Sequence, residues 1–300
     1  MHTVGARVAA PRLSASMIVT APVVGATEPA AYNYRVLMVR RALGGAFENA
    51  LVFPGGVEEA GDSRDAARWQ TDAHKVCAAR ETFEETGLLL TTPFAQRPIH
   101  SSQPFSALCV QHGARPLDSR LVGRWITPRA KSSRFDTRFF MLNIGDSDEF
   151  LLDQLDKGRV QQSELVAMDW LCPDSVLLAN AQSQTALFPP QFYILAEMAR
   201  YRRWQDLARN MVPSETPIEP VLGRRSDGRV IALLPGDRAY PDMDCERVAG
   251  SELPVPDVDL FGEDRVHRIV MKPASSAGGG FYAASLHQSP IATSSTAAKH

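Results

Sequence analysis

The sequence predicts an α/β fold. Three observations predict it. Strand-length apolar runs recur along the chain, at Ala15–Pro22, Tyr34–Arg41 and within Gln161–Leu171. A stretch with helical spacing stands between them and stops at Gly87, a residue type that favours a left-handed helix end. A second helical stretch, Pro189–Met211, repeats Phe192, Leu195, Met198, Trp204 and Leu207 as one apolar stripe. The 300 residues are 44% hydrophobic and 22% charged, which suits a soluble globular chain with a sizeable core.

The elements follow in order. Residues 15–22 read as the first strand, after a short N-terminal segment of residues 1–13. Gly25–Tyr34, with Pro29, is a loop, and YRVLMVRR over Tyr34–Arg41 is a second strand broken by Gly44 and Gly45. Ala50–Phe53 is short and apolar, and Pro54-Gly55-Gly56 turns the chain into the helical stretch. Thr91–Arg120 is long for a plain loop, so a short helix is expected at Phe105–His112. Trp125–Thr127 reads as a strand ended by Pro128, and Arg134–Leu142 as another. Beyond Pro189–Met211 come a β-rich piece over Val221–Pro241 and a last strand at Val266–Met271. Residues 273–300, rich in Ser, Ala and Gly, lack a core pattern and read as a disordered tail.

Chemistry concentrates at the end of the first helix. Glu81, Glu84 and Glu85 stand at i, i+3 and i+4 and project from one face, while Val76, Ala79 and Phe83 occupy another. Three carboxylates side by side repel, so something positive belongs among them. Arg80, four residues before Glu84, is one candidate. A hard divalent cation is the other, because oxygen-only ligand sets suit Mg²⁺ or Mn²⁺. The bland alternative is a solvated acidic helix face.

The run Arg80-Glu81-Thr82-Phe83-Glu84-Glu85-Thr86-Gly87-Leu88, preceded by Phe53-Pro54-Gly55-Gly56, resembles the box of the Nudix hydrolases, G-x5-E-x7-R-E-U-x-E-E-x-G-U, with U a bulky apolar residue. Two departures stand out. Thr82 occupies the first U position, and the interval from Gly56 to Arg80 is about ten residues too long for an unbroken box. Asp62 has the right spacing from Gly56 and Asp72 from Arg80, so either one fills the first acidic place. The extra residues, roughly Ser63–Thr71, either loop out or extend the helix at its N-terminus; a loop is the favoured reading, with Trp69 as its one apolar anchor and the helix starting near Thr71. The segments WITP, RFDTRFF, ELVAMDWL and PPQFYILAEM, in this order, look like the branch named nucleoside diphosphate-linked moiety X motif 19.

This resemblance implies an α/β/α sandwich on a mixed β-sheet over residues 14–272, with an interrupted box and a helical and β-containing C-terminal extension. It implies metal-dependent hydrolysis of a nucleoside-linked diphosphate, with CoA and acyl-CoA favoured as small-molecule substrates. The products would be 3′,5′-ADP and a 4′-phosphopantetheine. Glu81, Glu84 and Glu85 would then be metal ligands, with the carbonyl of Gly56, and Mg²⁺ or Mn²⁺ the cofactor. Arg80 would orient Glu84. Glu81 or Glu164 would take the proton of the attacking water. A 3′-phosphate calls for a guanidinium, and Arg40, Arg41, Arg134 and Arg138 are the candidates. Arg134 and Arg138 also fit a plain core strand with edge charges. Other readings keep the hydrolase but change the substrate to NADH, ADP-ribose, a nucleotide sugar or an oxidised nucleoside triphosphate, or keep the fold as a binding module without catalysis.

A formal net charge of −2 argues against nucleic acid and membrane surfaces as partners. Cys77, Cys109, Cys172 and Cys245 are far apart and read as thiols in a reducing compartment. An intracellular place is therefore expected. The ending Ala298-Lys299-His300 matches two of three positions of a peroxisomal address, and the acid-free first 27 residues resemble a mitochondrial leader in composition. Cytoplasm, peroxisome and mitochondrion all stand open.

Overall fold

The first strand, β1 (Arg12–Pro22), has neighbours on both sides and sits at the centre of a mixed sheet. The computed structural model describes residues 8–23, 31–41, 50–93, 103–144, 165–243, 253–254, 266–273 and 281–288. β1 begins three residues earlier than the apolar run suggests, because Arg12–Ser14 continue the pairing with a neighbouring strand. That neighbour is β8 (Phe135–Asn143), parallel to β1. On the other side β1 pairs antiparallel with β2 (Tyr34–Arg41) and, further back, with β4 (Gly55–Val57). β3 (Leu51–Val52) and β9 (Leu165–Leu171) flank β2, and β7 (Arg120–Ile126) flanks β8 with β10 (Pro217–Ile218) at the edge. The Gly-Gly turn read from the sequence is thus a strand. β4 presses so close to β1 that a Cβ on Gly55 would lie 2.5 Å from the Ala15 carbonyl oxygen, a distance only glycine permits.

Period-two alternation divides the sheet's two faces. Ala15, Met17 and Val19 of β1, Leu37 of β2 and Phe140 of β8 bury on one face. Ile18, Val36, Met38, Phe139 and Met141 bury on the other. The first face is covered by α1 (Ala60–Trp69), α2 (Ala73–Thr86) and α3 (Phe105–Gln111). A two-stranded pairing of β5 (Thr91–Thr92) with β6 (Arg115–Pro116) brackets α3. The second face is covered by α4 (Pro173–Ala181), α5 (Pro189–Met198) and α6 (Trp204–Asn210). This is an α/β/α arrangement on a mixed sheet.

Three elements differ from the sequence reading. The stretch expected to loop out is α1. It starts after Glu59, whose backbone N–H donates to Asp62 Oδ2 at 2.8 Å, and ends at Gln70 in a left-handed conformation. Its Asp65 and Ala66 are buried, and Trp69 meets Phe105 edge to face at 6.2 Å. The missed signal is the spacing of Asp62, Ala66 and Trp69 along one helix face. Pro189–Met211 is two helices, since the chain breaks at 199–203 and Asn33 Oδ1 accepts from the N–H of Trp204 at the start of α6. Residues 281–288, read as tail, form β15 (Phe281–Gln288), which pairs with β14 (His267–Pro273). Its backbone pairs with β14 along His267–Pro273, and the Ser- and Ala-rich stretch around it offered no long apolar run to announce it. β13 (Leu253–Pro254), β11 (Val221–Arg224) and β12 (Val230–Leu233) complete this second sheet, and Val230, Ala232, Ile269 and Met271 pack it into the core of the second face. Among the described residues no helix is long and apolar enough to cross a membrane.

Candidate active site

α2 positions the carboxylates. Asp72 caps it, accepting from the His74 N–H at 2.7 Å, and Gly87 closes it with φ 75°. Val76, Ala79 and Phe83 bury with the first-face core. Glu81, Glu84 and Glu85 are half-buried on the remaining surface. Glu85 Oε2 accepts from the Gly55 N–H at 3.0 Å. Glu81 lies over Gly56, where a Cβ would meet its carboxylate at 2.4 Å. The absence of a side chain at Gly56 therefore makes the room Glu81 occupies.

Arg80 runs beneath the row. Its Nε and Nη2 donate to the two oxygens of Asp62 at 2.9 and 3.0 Å. Its Nη1 donates to Glu81 at 2.8 Å and Glu84 at 2.9 Å, and Nη2 also reaches the Val57 carbonyl at 3.0 Å. Asp62 is only 1% exposed, whereas Asp72 is an exposed helix cap, so Asp62 is the acidic partner of Arg80. Burial pulls the guanidinium's pKa down, but the bond to Asp62 and the charges of Glu81, Asp62 and Glu84 outweigh it and keep Arg80 protonated. Burial pushes the Glu81 carboxyl up, and Arg80 offsets part of that rise. One cation thus faces three carboxylates, Asp62, Glu81 and Glu84. The excess negative charge and the oxygen-only donors fit a hard divalent cation. Among the described residues no three His, Cys, Asp or Glu side chains already converge as a finished ligand set. The Gly56 carbonyl accepts weakly from the buried Cys77 thiol at 3.7 Å.

The basic candidates separate. Arg134 precedes β8 and is 7% exposed. It donates to Glu219, to the Thr127 carbonyl and to the Ala9 carbonyl. Its guanidinium ties loops together, which corrects the expectation that it shares a phosphate-facing surface with Arg138. Arg138 is on β8, half-buried, and donates to His74 Nε2. Arg40 is half-buried and Arg41 exposed at the end of β2. Glu164 lies outside the described residues, as does Cys245. Cys77, Cys109 and Cys172 are free thiols.

Two polar residues near the row escaped the sequence reading. His74 contacts Asp72 at 3.1 Å and Glu58 at 3.4 Å as well as Arg138. His74 stands seven residues before Glu81, two helical turns on one face, and that spacing was the available signal. Glu58 follows β4 directly and gave no pattern of its own.

A family model described as the NUDT19 Nudix domain matches residues 66–198. The Gallus gallus protein named acyl-coenzyme A diphosphatase NUDT19 is 26% identical, over 88% of this chain and 90% of the relative. The putative nudix hydrolase 7 of Caenorhabditis elegans is also 26% identical, over 81% of this chain and 88% of its own length. The crystal structure of a NUDIX hydrolase from Alicyclobacillus acidocaldarius superposes with a TM-score of 0.54 at 24% identity, covering 68% of this chain and 98% of that one, a likeness of fold. The box helix, the matched family model and these relatives along most of the chain's length support the NUDT19 branch of the Nudix hydrolases, and the α/β/α sheet is consistent with that fold.

Proposed function

We propose that the chain hydrolyses the diphosphate bond of coenzyme A and its acyl esters, giving 3′,5′-ADP and an (acyl-)4′-phosphopantetheine. The observation that carries the chemistry is the carboxylate row of α2, which holds more negative charge than Arg80 neutralises and is pressed against side-chain-free backbone at Gly55 and Gly56. The substrate class comes from the relatives named acyl-coenzyme A diphosphatase, matched over most of both chains. Glu81, Glu84, Glu85 and the Gly56 carbonyl would hold Mg²⁺ or Mn²⁺, which when bound neutralises the diphosphate and acidifies a water. Asp62 and Arg80 keep the row in place. Glu81, whose carboxyl burial holds above the ordinary range, is suited to accept the water's proton. Glu164 is a second candidate for that role.

The test is a turnover panel with Mg²⁺ and with Mn²⁺ on CoA, acyl-CoA, dephospho-CoA, NADH, ADP-ribose and nucleoside triphosphates, with products identified by mass. Release of 3′,5′-ADP from CoA, with dephospho-CoA poorer by roughly 10-fold, is the expected result for a lost charge-assisted bond to the 3′-phosphate. Good turnover of ADP-ribose or NADH with none of CoA would replace this substrate by another nucleoside diphosphate.

A further inference from the structure

A cleft of about 870 Å³ opens at the N-terminal end of α2, between β8 and α6. Its size is that of a small-molecule site. Arg138, Lys75, Arg120, Phe140 and Trp204 line it, whereas Gly56, Glu81, Glu84 and Glu85 do not. Two routes give its distance from the carboxylate row. His74, beside Arg138, is seven residues from Glu81, ~10.5 Å along the helix. Arg138 and Gly56 are both in register with Ala15, so they are two strand spacings apart, ~10 Å. The cleft is a separate place, ~10 Å from the carboxylate row.

Its wall is rich in donors. Ser119 is 4% exposed, yet its Oγ has no hydrogen-bond partner, and neither has the buried Nη2 of Arg120, the next residue. The same guanidinium gives its Nη1 to the Ala208 carbonyl. The acids on the wall are occupied or turned to solvent. Asp118 pairs with Lys75 at 2.6 Å, Asp72 holds His74, and Glu215 is exposed. A wall with Arg138, Arg120 and a buried hydroxyl calls for a ligand with several acceptor oxygens, and a phosphomonoester has three. Trp204 and Phe140 add aromatic surface for a ring.

The state of Arg138 supports this. A guanidinium only donates, so His74 Nε2 accepts and the ring proton sits on Nδ1, donated to Asp72 Oδ1 at 3.1 Å. Glu58 Oε2 lies 3.4 Å from Nε2, receives no proton from it, and is buried without a hydrogen-bond partner. His74 therefore holds Arg138 while a second acceptor for its ring stands unused. We propose that the cleft binds the phosphomonoester end of a nucleotide, with Arg138 as its reader and His74 as the residue that positions Arg138. The inference goes beyond the proposed hydrolysis and needs no step of it, although 3′,5′-ADP, the expected product, is such a nucleotide.

Calorimetric titration of the full chain without divalent cation tests it, using adenosine 3′,5′-bisphosphate, AMP and inorganic phosphate. Adenosine 3′,5′-bisphosphate should bind more tightly than inorganic phosphate; His74→Ala should weaken it several-fold, and His74→Gln, whose amide oxygen keeps an acceptor for Arg138, should restore it. Arg138→Ala and Arg120→Ala should each weaken binding by ~10-fold or more, and Glu81→Gln should leave it within about twofold. If Arg138→Ala fails to fold, Arg138→Lys, which keeps the charge and loses the fork, takes its place. Undiminished binding by the folded Arg138 variant, weakening by Glu81→Gln alone, or no binding at millimolar nucleotide would overturn the proposal. Phosphate binding as tight as the nucleotide would reduce the cleft to a simple anion site, and undiminished binding by His74→Ala would remove His74 from it. Because hydrolysis is not measured, a failed CoA assay leaves this outcome readable.

Discussion

Arg80 and Arg268 are both buried arginines in carboxylate company, and their surroundings differ in one respect. Arg268 is 2% exposed and meets Asp237 through two parallel bonds of 2.8 Å. The same Asp237 accepts from the N–H groups of Ala239 and His267, so one positive and one negative charge are matched and fully hydrogen-bonded. Arg80 instead serves Asp62, Glu81 and Glu84 together. The balanced pair closes the second sheet onto the loop before it. The unbalanced one sets a single guanidinium against three carboxylates. Charge imbalance, more than burial, separates the candidate site from the scaffold.

Breaking the balanced pair should have the largest effect. Asp237→Ala leaves a buried guanidinium unpaired, which costs about 3–5 kcal/mol. Denaturant unfolding should show a much lower midpoint, with turnover per folded molecule unchanged. An unchanged midpoint would end the contrast between the two arginines.

The reverse is expected at the row. Glu85→Gln removes one charge and keeps the shape, and the amide oxygen can still accept from the Gly55 N–H. The kcat should fall by ~100-fold or more, as the loss of a key electrostatic group commonly does, while thermal unfolding stays where it is or rises slightly. Activity within a few-fold of the parent would show that the row is only an acidic surface. Gly56→Ala probes the same place sterically, because its Cβ would stand 2.4 Å from the Glu81 carboxylate. Displacing Glu81 in this way should lower turnover by roughly tenfold. Combined with Glu81→Ala, it should add little further loss, since the group it displaces is gone. A full additive loss would mean that Gly56 acts on something other than Glu81.

The contrast also explains what was legible in the sequence. The box helix, its cap at Asp72 and its stop at Gly87 were readable because residue type and spacing fix a helix locally. The choice between Asp62 and Asp72 was not, because both spacings fit and only the fold of α1 brings Asp62 to Arg80. α1 itself was hidden by its polar surface, with Asp65 buried against expectation. Arg134 and Arg138 looked equivalent at four residues apart. The strand starts between them at Phe135, so one turns to Glu219 and the other to His74. Pairing partners far along the chain decide such cases, and spacing alone carries no trace of them.

The smallest effect concerns a third pair, Arg124 with Asp136, which is balanced like Arg268 with Asp237 but lies nearer solvent. The guanidinium's Nε and Nη2 reach the two carboxylate oxygens at 2.8 and 2.6 Å, and the Arg124 side chain is 28% exposed. The bond to Arg124 lowers the Asp136 pKa; burial opposes it, and the charges of Arg124 and Arg138 support it. A carboxyl whose folded value lies below its unfolded one, near 3.9, contributes stability above that pH. The contribution fades as pH falls through the folded value, so acid below about pH 4 should erode it. Solvent screening at the exposed guanidinium keeps the effect modest. Arg124→Gln should therefore lower stability at neutral pH and flatten the acid limb of a stability-against-pH curve. Some slope should remain, because Arg138 still faces Asp136. Parallel acid limbs for parent and variant would show that Asp136 owes its low value to Arg138 instead, and that this pair is held by the sheet and not by its charge.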